Sequence, residues 1–296
     1  MATGISRAIP AHIILATDFT ARCDRAQDRA VQLALLWNAS LTAVHALTDV
    51  SLTDDLAVRD AYRNAAQRNA ANLREELAGV EGLRYSVIVE EGAVDEVVLD
   101  TVRRDRADLI VTGIARSGPL AQVFVGSSVT ALARKSPVPV LVVKKKVLDT
   151  DERVVVATDM SEASKDALTT ALKWFSLREL VLFHGFNPPY RGMIDDKAGY
   201  DEQFETAAVA EVSEFLDGVA GAAATKFDIV ARRGDPVTGL EVLVNEADTD
   251  LVIAATHGRS GLMHSLVGSV ATRILESVPC DVLVVPQSGA ASSRSI

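Results

Sequence analysis

DLIVTGIARSGPLAQVFVGSSVTALARKSPVPVLVV, residues 108–143, and DLVIAATHGRSGLMHSLVGSVATRILESVPCDVLVV, residues 250–285, are two versions of one segment. Gly126 and Gly268 within them lie 142 positions apart, and so do Gly92 and Gly234 upstream. The openings HIILATDFTARCDRA (12–26) and RVVVATDMSEASKDA (153–167) match to within a residue or two. Solenoid units repeat every 20 to 50 residues or so, whereas a period near 140 is a whole domain. The chain therefore reads as a tandem duplication. Residues 1–146 form one domain, 151–288 a second, and the small polar stretch 289–296 a disordered tail.

Within each copy, short apolar runs rich in β-branched residues alternate with longer stretches of helical period, which is the sequence form of βαβ units around a buried parallel sheet. Strands are expected near 12–16, 41–46, 84–89, 108–112 and 138–143, and again near 153–157, 179–184, 226–231, 250–254 and 280–285. Val58, Tyr62, Ala66, Leu73, Leu77 and Val80 recur at three- and four-residue spacing. So do Phe204, Ala208, Val212, Phe215 and Val219, which predicts a long helix with a core stripe after the second strand of each copy. The segments before these helices, 48–55 and 187–201, lack apolar period, and each could act as a flexible lid over its sheet. The fold class is α/β: two tandem, doubly wound, five-stranded parallel sheets with helices on both faces. Ligands of such sheets bind outside the carboxyl ends of the strands, where the winding reverses.

Composition narrows the function. With 48% hydrophobic residues the chain can bury two ordinary cores, and its net charge of −10 opposes a general role on nucleic acid or anionic lipid. Lys144-Lys145-Lys146 is the local exception and reads as a solvated linker between the copies. No apolar run reaches the ~18 to 20 residues that span a bilayer, and the start of the chain lacks a secretory pattern. The expected location is the cytoplasm, with no membrane and no nucleic-acid partner. The two cysteines, Cys23 and Cys280, occupy non-equivalent places without metal spacing and read as reduced bystanders.

Three pieces of each copy fall at the carboxyl ends of the strands. After the first strand come Ala157-Thr158-Asp159 and, in the other copy, Thr17-Asp18. The aspartate can accept hydrogen bonds from a base or ribose, or it can cap the next helix; sequence leaves both open. After the fourth strand come Ala255-Thr256-His257-Gly258 and then Gly268-Ser269-Val270-Ala271, matched by Gly113 and Gly126-Ser127-Ser128. Glycines admit a phosphate close to the backbone, and a helix start supplies oriented N–H donors with a favourable dipole. GxxxxGK[ST], GxGxxG after a strand and GxSxG are all absent, which removes the ordinary P-loop ATPase, dinucleotide dehydrogenase and α/β-hydrolase. His45 and His184 sit at matched strand ends and read as hydrogen-bonding residues. His257 and His264 flank the glycine loop in the second copy only, without metal-ligand spacing, so no metal site is assigned.

This ordered set resembles a tandem universal stress protein. That family's pattern is Gly-x-x-Gly, nine residues, Gly-Ser/Thr, with an Asp after the first strand and a His-Val-like pair closing the second. The resemblance implies the strand order 3-2-1-4-5, dimer-like pairing through the last strands, and binding of ATP or another adenine nucleotide, with or without Mg. Carried over residue by residue, it points to Thr158, Asp159, Gly185, Gly258, Gly268 and Ser269. The chain departs from the pattern at Ala255, where the first glycine would stand, and at Gly185, where a Val often contacts adenine. The first copy keeps Asp18, His45-Ala46, Gly113, Gly126 and Ser127, but Arg116 replaces the second glycine and marks a degenerate loop. The expected function is a stress-response sensor or regulator that binds ATP mainly in the second domain. A homodimer is a further expectation, and the protein partner is not readable. The alternatives are a slow adenine-nucleotide hydrolase or transferase, and a non-binding pseudo-dimeric scaffold or small-molecule or metal-binding module.

Overall fold

A computed structural model describes residues 9–48, 55–116, 123–147, 153–175, 178–220, 227–256 and 268–288. His257, Gly258 and His264 therefore lie outside the described residues, as does most of the 48–55 segment. The chain divides into two compact units, one formed by Ile9–Leu148 and the other built around Asp149–Ile296.

In the first unit β1 (His12–Ala16), α1 (Asp24–Trp37), β2 (Ser40–Leu47), α2 (Leu56–Ala78), β3 (Arg84–Glu91), α3 (Val94–Asp105) and β4 (Leu109–Gly113) alternate. A two-stranded ribbon, β5 (Ala115–Arg116) with β6 (Val123–Phe124), then precedes α4 (Ser127–Lys135) and β7 (Val140–Val143). The five long strands pair in parallel in the order β3-β2-β1-β4-β7, with Ile13 level with Leu41 on one side and Leu109 on the other. The second unit repeats this with β8 (Arg153–Ala157), α5 (Glu162–Trp174), β9 (Glu179–Phe186), α6 (Lys197–Ala220), β10 (Phe227–Arg233), α7 (Pro236–Glu246), β11 (Leu251–Ala255), α8 (Ser269–Ser277) and β12 (Asp281–Val285). Its parallel order is β10-β9-β8-β11-β12.

Burial follows the apolar runs. Ile13, Ile14, Leu15 and Val154, Val155, Val156 are wholly inaccessible, because a central parallel strand is covered by helices on both faces. Right-handed crossovers put α1 and α2 on one face of the first sheet and α3 and α4 on the other, and the second unit repeats the arrangement. The winding therefore reverses between β1 and β4, and between β8 and β11. The copies also agree where the backbone is least free. Phe19 and Met160 (φ 59° and 60°), Arg106 and Asp248 (53° and 45°), and Gly92 and Gly234 (146° and 117°) all have positive φ, which side chains disfavour. The side chain of Asp108 ties down the start of β1 through the N–H groups of Ala11 and His12, and Asp250 does the same to Arg153 in β8.

Three expectations need correction. Val58 and Tyr62 are not core residues: both are exposed in the first turns of α2, whose buried stripe is Ala66, Ala70, Leu73 and Leu77. The β5–β6 ribbon was not foreseen, since two-residue strands carry no periodicity. Lys144 is not a solvated linker residue. It is 1% exposed at the end of β7, and its carbonyl accepts a bond from the Arg25 guanidinium at 2.7 Å.

Candidate functional site

The first strand of each sheet ends in a nested turn built by Thr-Asp. Thr17 is the last residue tied to the sheet, its N–H bonded to the Val44 carbonyl, and its hydroxyl then accepts the Phe19 N–H at 3.0 Å. Asp18 Oδ1 accepts the Thr20 N–H at 2.8 Å and the Thr20 hydroxyl at 2.7 Å. The second unit repeats the turn: Thr158 takes the Met160 N–H at 2.9 Å and Asp159 Oδ1 takes the Ser161 N–H at 3.1 Å. Each oxygen caps the next amide but one, which drives Phe19 and Met160 into the left-handed region. The aspartates are thus turn residues, and the turn presents them at the sheet's carboxyl edge.

The matched histidines brace this turn. Nδ1 of His45 lies 2.9 Å from the Thr17 carbonyl, and Nδ1 of His184 lies 2.9 Å from that of Thr158. A carbonyl only accepts, so Nδ1 carries the hydrogen in both. The Phe19 ring lies 4.5 Å from the His45 ring and closes the same corner.

The fourth strand ends beside the start of the last helix. Gly268 donates its N–H to the Thr256 carbonyl at 2.8 Å, which fixes the first turn of α8 beside the end of β11. Gly126 and Gly268 are the N-caps of α4 and α8, and neither helix start has a side-chain cap. Their φ values, −60° and −55°, suit any residue, so conformation does not call for glycine. A Cβ added at Gly126 would meet nothing within 4 Å, so packing does not call for it either. Gly113 differs, because a Cβ there would stand 3.1 Å from the Arg22 carbonyl; its glycine is structural, and Ala255 shows that the second unit leaves more room.

A cavity opens at each of these junctions. The one in the second unit, about 370 Å³, is walled by Ala157, Thr158, Asp159, Gly185, Ala255, Gly268, Ser269, Val270 and Ala271. All the second-copy candidates within the described residues thus meet in one hollow, from four separate chain segments. Apolar walls come from Phe183, Pro236, Leu240 and Ile274, which sequence reasoning did not single out. The first unit's cavity, about 410 Å³, gathers Thr17, Asp18, Ala46, Gly113, Gly126 and Ser128 with Arg22 and Cys23. Ser127 is exposed and stands off the wall.

The universal stress protein family profile matches the chain twice, over residues 11–144 and 152–286. The chain belongs to the universal stress protein family. A universal stress protein of Mycolicibacterium smegmatis is 26% identical over 294 residues, covering 92% of this chain and 96% of that one. One from Thermus aquaticus is 29% identical over 134 residues, 45% of this chain and 97% of that protein. Among solved structures, a universal stress protein of Archaeoglobus fulgidus has a TM-score of 0.67 at 18% identity, covering 96% of this chain and 98% of that one; it shares the fold.

In this universal stress protein the equivalent of Cys23 is Ser164, and Cys23 is a free thiol tied into the turn by its bonds with Asp18. Both side chains stand five residues after the aspartate and bond to it, Cys23 Sγ at 3.2 Å and Ser164 Oγ at 2.7 Å. The signal was a matched offset hidden by different residue types. Burial is the main reason the Cys23 thiol is pushed up to about 11, so it stays protonated at neutral pH. Among the described residues no group of three or more His, Cys, Asp or Glu could hold a metal, and no helix is long and apolar enough to cross a membrane.

The carboxylates set an acid limit to stability. Burial pushes the Asp18 carboxyl up, but the Thr20 hydroxyl and N–H, the Cys23 thiol and the Arg22 guanidinium outweigh it, leaving the group below its ordinary value. Asp235, the N-cap of α7, is held far down by its paired bonds from Arg273, with the Thr238 N–H and hydroxyl adding to it. A carboxyl whose folded pKa is depressed stabilises at neutral pH, and that contribution is lost as pH falls from about 4 through the folded value. Melting temperature should therefore drop between pH 5 and pH 3, and Asp18→Asn should flatten that slope. An unchanged slope in Asp18→Asn would show that its bonds are not the cause.

Proposed function

We propose that this universal stress protein binds ATP or a related adenine nucleotide, chiefly in its second unit, and acts as a nucleotide-dependent regulator in the cytoplasmic stress response. The observation that carries this is the junction of four segments in one cavity. A fixed carboxylate lies at Asp159, an apolar wall at Phe183, Pro236 and Leu240, and a helix start without a side-chain cap at Gly268–Ala271. An adenine ring suits the apolar wall, with Asp159 available to accept from the adenosine end. The N–H groups that open α8 suit phosphate, with Ser269 adding a hydroxyl. Glycine at Gly126 and Gly268, demanded by neither φ nor, at Gly126, by packing, is what close approach of a ligand to the backbone would require. Mg, if it accompanies the nucleotide, would ride on the phosphates, since the described residues offer no carboxylate cluster for it.

Calorimetry of the full chain with ATP tests this. The wild type should bind, and Asp159→Ala should weaken the second unit's site about tenfold or more, the worth of a hydrogen bond to a charged group. Mass spectrometry of the denatured protein should release an adenine nucleotide if it purifies with its ligand. No heat of binding to ATP, ADP or AMP would end this reading and leave the scaffold alternative.

A further inference from the structure

Ser164 and Cys23 clamp the matched aspartates in both directions. Ser164 Oγ receives the Asp159 N–H at 3.3 Å and donates to Asp159 Oδ1 at 2.7 Å. Cys23 Sγ receives the Asp18 N–H at 3.5 Å and donates to Asp18 Oδ1 at 3.2 Å. Ser164 is 3% exposed, and each clamp forms part of its cavity wall. Capping does not account for Ser164, because Ser161 already caps α5 by accepting the Ser164 N–H. The hydroxyl is thus spent on the aspartate. A hydroxyl is the stronger donor, and 2.7 Å is the length of a charge-assisted bond, whereas a thiol donates weakly over a longer reach. The fold and the Thr-Asp turn recur in both copies, but the clamp exchanges oxygen for sulfur, and Asp18 Oδ1 also takes the Thr20 hydroxyl at 2.7 Å where the Ser161 hydroxyl turns to Ser164 Oγ at 3.4 Å.

We propose that the residue at this place is the positioning residue that sets how firmly each unit holds its nucleotide, Ser164 making the second unit the tighter site and Cys23 the first the weaker. This rests on the reading that the aspartates meet the adenosine end. Fixing one carboxylate oxygen in the turn fixes the plane of the whole group, so the clamp decides how the carboxylate is presented to the cavity. A sulfur clamp contributes less to that order than an oxygen clamp does, even with Thr20 holding the same oxygen of Asp18, so more of it must be supplied when the ligand binds.

The test uses the full chain, with the other unit silenced by an aspartate at its helix-start glycine. Ser164→Ala should weaken ATP binding in the second unit about tenfold. Ser164→Cys should fall between wild type and alanine, and Cys23→Ser should tighten the first unit by a few-fold. A second measurement needs no nucleotide: carbon-detected NMR titration of the Asp18 carboxyl. Its midpoint should rise in Cys23→Ala and fall in Cys23→Ser, a movement that side-chain packing alone would not produce. If Asp159→Ala weakens binding while Ser164→Ala does not, the positioning role is overturned and the nucleotide reading stands. If the wild type binds no nucleotide, that reading fails and the affinity role fails with it. An Asp18 midpoint unmoved in both cysteine variants overturns the clamp whether or not ATP binds.

Discussion

Gly185→Val, which would give the second unit the residue that universal stress proteins often carry here, is expected to damage it. A Cβ built on Gly185 lies 2.7 Å from both Cα and Cβ of Pro236, a separation that side chains do not tolerate. Pro236 cannot retreat easily. It is the first residue of α7, and its neighbour Asp235 caps that helix through Thr238 and pairs with Arg273 of α8. Relief therefore means moving the start of α7 or the end of β9, both of which wall the cavity. Forced overpacking of this kind costs about 3 kcal/mol, which lowers the melting temperature by roughly 6–12 °C in a domain of this size. The first unit makes the reverse choice: Ala46 is the last residue but one of β2 and Val94 opens α3. Thermal melts of Gly185→Val against Ala46→Gly separate the two, the second costing no more than about 1 kcal/mol. A Gly185→Val protein as stable as wild type would mean that the start of α7 gives way without cost.

That pair shows where sequence reading stopped. The five parallel strands of each copy were legible because a buried strand must be apolar throughout, and their order came with the family resemblance. The candidate residues were legible because the same polar and glycine positions recur across the duplication at the ends of those strands. Contacts between distant segments were not. Nothing in the neighbourhood of Gly185 announces Pro236, and although the aligned openings set Ser164 opposite Cys23, the difference in residue type hid the bond that both make to the aspartate. Period-based reasoning also overreached at the start of α2, where Val58 and Tyr62 keep the helical spacing yet stand exposed. Lys144 failed for the opposite reason: a run of three lysines looks solvated, yet its first member completes β7 and is buried with it.

Gly268→Asp and Gly126→Asp should abolish nucleotide binding in their units without unfolding them, and the opposed signs of the two effects make the pair informative. Both glycines are N-caps with extended backbone, the conformation an aspartate cap adopts. At Gly126 the added side chain meets no atom within 4 Å of its Cβ. The new carboxylate can accept the N–H groups that open α4 or α8 and complement the helix dipole, so stability should stay level or rise by a few tenths of a kcal/mol. Those amides are the ones a phosphate would use. An aspartate there both occupies them and sets a like charge against the ligand, which should weaken ATP binding about 100-fold or more. Substitution by alanine, which neither caps nor repels but sets a methyl where the ligand approaches the backbone, should weaken binding by less than aspartate does. Calorimetry and thermal melts on the same preparations decide the matter. If Gly268→Asp melts at or above the wild-type temperature yet binds ATP undiminished, the helix start is only a helix start, and the second unit must hold its ligand elsewhere.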